Sequence, residues 1–175
     1  MQIGKPAPDF KGTAVMPDQE FGEISLADYK GKWVVLFFYP LDFTFVCPTE
    51  IRGFNDAYPK FKAAGAEVIG CSIDSHFSHL SWIQRDFKKL GFPLLSDITK
   101  DISRAYQVLL DEGFALRGTF IIDPSGVLKS VVMNDTAIGR SRDETLRTLQ
   151  ALQTGKLTGC GWQPGDEPVR VPALT

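Results

Sequence analysis

The residues Trp33-Val34-Val35-Leu36-Phe37-Phe38-Tyr39 form one unbroken apolar run, rich in β-branched and aromatic side chains and closed by Pro40. A strand with one wet face alternates apolar and polar residues. A run without alternation predicts a strand buried on both faces. The chain around it has 175 residues. That length favours one domain, large enough to bury a core without structural disulfides or metals.

Other elements follow from the pattern on either side. Residues 1 to 32, rich in Gly, Pro and charge, read as loops with a short hairpin anchored by Phe10 and Phe21. After the loop Leu41 to Val46, Cys47-Pro48-Thr49-Glu50 opens a helix, because Pro suits the first turn and an early Glu suits the positive end of the dipole. Ile51, Phe54, Tyr58 and Phe61 recur at helical spacing as a buried stripe. Pro59 falls within it and predicts a kink or break, and Gly65 closes the helix.

Glu67 to Ile73 is the second strand. Leu80, Ile83, Phe87 and Leu90 mark a second helix ended by Gly91 and Pro93, and a short third helix surrounds Ile102 to Tyr106. Gly118 to Asp123 and Val127 to Met133 read as a hairpin turning at Asp123-Pro124-Ser125-Gly126. A last helix carries Leu146, Leu149 and Leu152, with Ser141 and Glu144 at capping-box spacing. The order predicts a right-handed parallel βαβ unit followed by antiparallel strands in the same sheet. This is the arrangement of an α/β thioredoxin-like fold, a central mixed β-sheet flanked by helices with an N-terminal extension. Residues 1–155 are expected to form the domain, and 156–175 a C-terminal arm that is not independent of it. Active groups in such sheets gather beyond the carboxyl ends of the parallel strands. Cys47 lies in that zone.

Net charge bears on partners. A formal charge of −2 offers no basic excess for nucleic acid or anionic membranes. The N-terminus lacks the apolar segment of a signal peptide, and the longest apolar run is too short to span a bilayer, which predicts a cytoplasmic protein. The cysteines are Cys47, Cys71 and Cys160, with no CxxC and no paired metal-ligand spacing. In a reducing compartment this favours reactive thiol chemistry over a disulfide framework. No cofactor or metal is expected. Cys71, mid-strand between apolar neighbours, reads as core packing. His76 and His79 stand at helical spacing without further ligands, which favours loop capping or a subunit contact over metal binding.

A thiol becomes a strong nucleophile only on ionising, which a helix N-terminus and a nearby cation promote. Cys47 has the helix. Pro48 supplies no competing N–H, and Thr44 can place its hydroxyl beside the sulfur. The cation must come from elsewhere in the fold, because no Lys or Arg occurs from Trp33 to Ile51.

The residues Pro40-Leu41-Asp42-Phe43-Thr44-Phe45-Val46-Cys47 match the Pro-x-x-x-Thr-x-x-Cys signature of the peroxiredoxins. The string Asp42 to Glu50 resembles the typical 2-Cys subgroup, which includes bacterial alkyl hydroperoxide reductase C. Asp74 to Trp82, Arg117 to Asp123 and Gly139 to Leu146 extend the resemblance, which runs from about Gly4 to Pro164. It implies a thiol-dependent peroxidase. Cys47 would be the peroxidatic cysteine, oxidised to a sulfenic acid. Thr44, the Cys47 N–H and Arg117 would grip the peroxide oxygens, Pro40 would shield the sulfur, and Glu50 and Arg140 would orient Arg117. An ordinary salt-bridge residue is the lesser alternative for Arg140.

Cys160 resembles the resolving cysteine, which would come from the other subunit of a dimer and form an intersubunit disulfide after the first turn of the Cys47 helix unwinds. A free surface thiol is the alternative. Thioredoxin or a flavoprotein disulfide reductase would regenerate both thiols. The resemblance implies a homodimer assembling to a decamer ring, in which Phe43 and Phe45 could face a partner. Gly159 and Gly161 flank Cys160 where many relatives have Val and Pro. A Gly-Gly-Leu-Gly insertion is absent between Leu90 and Pro93, and the tail stops at Thr175, which together predict resistance to overoxidation. Two further functions fit less well. A thiol–disulfide oxidoreductase needs a CxxC pair, and a ring-shaped holdase could coexist with catalysis.

Overall fold

The computed structural model describes residues 1–171, so the last four residues of the expected arm lie outside the described residues. One seven-stranded mixed sheet forms the centre. Its strands are β1 (Lys11–Val15), β2 (Phe21–Ser25), β3 (Trp33–Phe38), β4 (Ala66–Ser72), β5 (Leu94–Ser96), β6 (Arg117–Ile122) and β7 (Leu128–Asn134), in the spatial order β2-β1-β5-β4-β3-β6-β7. β3 runs parallel to β4, with Phe38 opposite Cys71, and antiparallel to β6, with Phe37 opposite Thr119.

The apolar run is split by the pleat. Val35, Phe37 and Tyr39 enter one core, and Val34, Leu36 and Phe38 enter the other. On the first face lies α1 (Cys47–Ala63), whose Ile51, Phe54, Ala57 and Phe61 are buried. Phe54 stacks on Phe37 with ring centroids 4.4 Å apart. Each fully buried Phe contributes roughly 1.5–3 kcal/mol. α4 (Arg142–Gln153) lies beside α1 and runs the same way: Arg142 rests on Gly53, and Gln153 Nε2 donates to the Ala64 carbonyl at 2.6 Å. Ser141 Oγ accepts from Glu144 N–H at 3.1 Å, so half of the expected capping box forms, while the Glu144 carboxylate turns to Arg147.

Three expectations change. α1 continues through Pro59, because that residue is on the solvent side and the buried stripe holds the helix before and after it. The second helix is shorter than its apolar spacing implied. α2 (His76–Trp82) passes into a π-helical turn at Ile83–Phe87. Leu94–Ser96, given no element from sequence, is β5, and it joins the N-terminal hairpin β1–β2 to the main sheet. Three residues behind Pro93 are too few to show a period. The short helix α3 (Asp101–Ala105) caps the second face. Among the described residues, no helix is long and apolar enough to cross a membrane.

Past α4 the arm closes on itself. Val169 N–H donates to the Leu157 carbonyl at 2.8 Å, and Trp162 Nε1 to the Asp166 carbonyl at 3.0 Å. Arg147 Nη1 donates to the Trp162 carbonyl at 3.0 Å and ties the loop to α4.

Candidate active site around Cys47

β3 ends against Pro40, which is buried, and the chain crosses to α1 through Leu41–Val46. Cys47 is the first residue of α1 and is 0 % exposed. Its N–H has no partner among the described residues, as expected of the first helical position. Val46 precedes it as the N-cap without a side-chain acceptor. Thr44 Oγ1 donates to the Leu41 carbonyl at 3.0 Å, so its hydroxyl is engaged within the same loop.

The missing cation is Arg117, at the start of β6 and 3 % exposed. Its Nη1 lies 3.4 Å from Cys47 Sγ and donates to Glu50 Oε2 at 2.6 Å, while Nε donates to the Thr136 carbonyl at 2.8 Å. Nη2 is left without a partner among the described residues.

Glu50 sits on α1 three residues beyond Cys47. It also accepts from Arg140: N–H and Nε on Oε1, and Nη2 on Oε2, all at 2.8 Å. Arg140 Nη1 donates to the carbonyls of Phe38 at 2.7 Å and Gly118 at 2.8 Å, and its guanidinium lies over the Phe37 ring. Burial works to raise the Glu50 pKa. The hydrogen bonds and charge of Arg140, with the charge of Arg117, outweigh it and hold the carboxyl below the usual range. Two guanidinium groups share one carboxylate, so the buried cluster carries one uncompensated positive charge beside the sulfur. The arrangement suits a nucleophilic sulfur facing a substrate that develops negative charge.

The structure thus joins Cys47, Arg117, Glu50 and Arg140 in one cluster, with Pro40 and Thr44 on the loop that leads into it. Cys160 is not among them. It is exposed and free, on the arm that leaves the far end of α4. A helix of 17 residues spans about 25 Å, and the arm folds back only to Arg147. Cys71 is free and buried in β4, where burial, then Asp97, push its thiol well up, in keeping with core packing. A cavity of about 200 Å³ lined by Thr119, Ser130, Ser141 and Thr148 also touches Arg140, but Cys47 does not line it.

Sequence reading missed a second buried polar group behind the loop. Tyr39 Oη donates to Asp42 Oδ1 at 2.8 Å, and His79 Nδ1 lies 2.8 Å from Asp42 Oδ2. Burial pushes the Tyr39 phenol well up, so it remains a donor. Burial and the charge of Asp42 raise the Asp74 carboxyl. The available signal was an acid, Asp42, set among Leu41, Phe43 and Phe45. His79 proves to be a fully buried residue that holds the loop from within, through Asp42. Phe43 and Phe45 face solvent, Phe45 with 94 % of its surface exposed. His76 packs edge-on to Phe21.

Residues 3–131 match the AhpC/TSA family. The chain is 52% identical over 178 residues to peroxiredoxin-1 of Gallus gallus, covering 96% of this chain and 89% of that one. It is 51% identical to the mitochondrial thioredoxin-dependent peroxide reductase of Drosophila melanogaster, covering 98% and 77%. Its structure is similar to reduced 2-Cys peroxiredoxin of Plasmodium vivax, with a TM-score of 0.92 at 43% identity, covering 95% and 92%. Common sequence over nearly the whole length and a common thioredoxin-like fold agree with the sulfur, guanidinium and carboxylate found at the head of α1: the chain belongs to the AhpC/TSA family, as a peroxiredoxin.

Proposed function

We propose that the chain reduces hydrogen peroxide and organic hydroperoxides with Cys47 as the attacking thiolate. The observation that carries this reading is Arg117 Nη1 3.4 Å from Cys47 Sγ, in a cluster one negative charge short of balance. Sulfur attacks one peroxide oxygen, the O–O bond breaks, and the departing oxygen leaves as water or an alcohol after taking a proton. Cys47 is left as a sulfenic acid. Negative charge moves from sulfur to the leaving oxygen. Donors fixed beforehand, at Arg117 Nη2 and the Cys47 N–H, stabilise that charge more in the transition state than in the ground state, while Thr44 Oγ1, its own proton on the Leu41 carbonyl, accepts from the peroxide O–H. Glu50, itself held by Arg140, keeps the Arg117 guanidinium beside the sulfur, and Pro40 keeps water from it.

Cys160 then condenses with the sulfenic acid, releasing water and forming a disulfide. The arm's tether to Arg147 keeps Cys160 away from Cys47 of its own chain, which favours the thiol of a second copy. The arm, residues 156–175, acts as part of the one domain. β7 is an edge strand whose Val132 and Met133 are exposed, a surface suited to pairing with another chain. The exposed Phe21, Phe43, Phe45 and Phe77 offer a second contact through which dimers would close a decamer ring. Thioredoxin or a flavoprotein disulfide reductase returns both thiols, and three free cysteines suit the reducing cytoplasm.

Stopped-flow peroxide consumption by wild type, Cys47→Ser and Cys160→Ser, followed by non-reducing electrophoresis, tests this. Cys47→Ser should be inactive. Cys160→Ser should react once with peroxide and give no covalent dimer. Peroxide consumption by Cys47→Ser would refute the assignment.

A further inference from the structure

Asp42 lies between β3 and Cys47, and its side chain fastens the loop to α2. Ser78 Oγ donates to Asp42 Oδ2 at 2.8 Å, His79 Nδ1 is 2.8 Å from the same oxygen, and Tyr39 Oη donates to Oδ1 at 2.8 Å. The Asp42 N–H donates to Asp74 Oδ2 at 3.0 Å. On the other side of the imidazole, His79 Nε2 is 3.2 Å from the Leu95 carbonyl oxygen. A carbonyl oxygen only accepts, so Nε2 carries a proton. The contact between Asp42 Oδ2 and His79 Nδ1 needs a second proton between them. Asp42 and His79 together therefore hold two protons and no net charge, whichever of the two atoms owns the shared one. A neutral, fully bonded unit of this kind is stable at 0 % exposure of His79.

Apart from Asp42, the loop is held by packing alone, with the Phe43 ring near Trp82 and beneath the Arg85 guanidinium. Thr44 Oγ1 bonds back to Leu41. Phe43 sits at φ +57°, a conformation its side chain disfavours, and Phe45 points to solvent. Among the described residues, the loop's hydrogen bonds to the protein beyond α1 and β3 all pass through Asp42. Two residues further on is the Thr44 hydroxyl, and five further on is Cys47.

We propose that Asp42 and His79 are positioning residues for the peroxide reaction, holding the Pro40–Cys47 loop so that Thr44 Oγ1 and the Cys47 N–H meet the incoming oxygen atoms. This rests on the peroxidase reading and extends it to a pair that touches neither sulfur nor substrate. The pair acts on the groups that meet the peroxide oxygens and not on the sulfur, so it sets the rate with peroxide apart from the rate with reagents that need sulfur alone.

The test uses the full chain, reduced, in single turnover against hydrogen peroxide and, separately, against iodoacetamide. Asp42→Ala should react with peroxide at least about tenfold more slowly, since misplacement by an ångström costs up to about a hundredfold, while its alkylation holds or rises. Asp42→Asn should restore the peroxide rate to within about threefold. Its amide oxygen accepts from Tyr39, and its NH₂ supplies the proton to Nδ1. Should Asp42→Ala fail to fold, His79→Gln carries the test: its amide reaches Leu95 and leaves Asp42 without its partner, so it should slow in the same way. A folded Asp42→Ala or His79→Gln that reacts with peroxide at the wild-type rate would overturn the proposal. So would alkylation falling in parallel with the peroxide rate. Cys47→Ser consuming peroxide would instead sink the peroxidase reading, and this proposal with it.

Discussion

Replacing Glu50 with Gln isolates the charge arrangement on which the site is built. The carboxylate accepts four hydrogen bonds, two on each oxygen, at 2.6 to 2.8 Å from Arg117 and Arg140. A glutamine with its carbonyl in the Oε1 position keeps the two from the Arg140 N–H and Nε. It then turns an NH₂ toward Arg117 Nη1 and Arg140 Nη2, donor against donor. Both guanidinium groups stay buried with no carboxylate between them. Removing one partner of a buried ion pair costs about 3–5 kcal/mol, a large part of a total stability of about 5–15 kcal/mol. With a urea slope of about 2 kcal/mol per molar, a loss of about 3 kcal/mol moves the midpoint down by roughly 1.5 M.

The loss should also depend on pH. The folded-state pKa of Glu50 is depressed, so its contribution is complete above the unfolded value of about 4.3 and disappears as pH falls through the lower folded value. Urea unfolding of wild type and Glu50→Gln, at one protein concentration from pH 7 to pH 3, should show a gap that narrows below about pH 4. A midpoint shift under roughly 0.5 M at pH 7, or a gap unchanged down to pH 3, would refute the reasoning.

Other substitutions probe separate parts. Arg117→Ala should slow single-turnover reaction with peroxide by about 10²–10³-fold, read by stopped flow, with a smaller effect on alkylation of Cys47. Trp162→Ala removes the buried anchor of the arm and should cost about 3 kcal/mol locally, seen as faster proteolysis between Gly155 and Val171 with the sheet intact. Ser141→Ala deletes the cap of α4 and should lower stability by about 1 kcal/mol in urea titration.

The fold was legible where the pattern is long and local. The run Trp33–Tyr39 announced a strand buried on both faces because every residue in it is apolar, and Ile51, Phe54 and Phe61 announced the buried side of α1. What escaped was short or set by tertiary contacts. β5 has three residues and no period. The π turn after Trp82 accompanies the bond from Trp82 Nε1 to Asp86 Oδ2, which no spacing foretold. Pro59 misled because the side of the helix it occupies depends on what the opposite side buries. At the site, Cys47 and Thr44 were readable as neighbours on one segment, while Arg117, Glu50 and Arg140 were matched through motifs, their meeting being a property of the fold. Asp42 and His79 were passed over because their pairing spans 37 residues and leaves no mark in either segment alone.

Three donors converge on one carbonyl at the head of α1: Thr49 N–H, Glu50 N–H and Thr49 Oγ1 all reach the Val46 oxygen. No side chain caps this turn, and the sulfur within it is 0 % exposed. An oxygen atom joined to that sulfur is a wedge driven into an interior packed as densely as a crystal. That bulk bears first on the turn at the head of α1, which is held through the single Val46 oxygen.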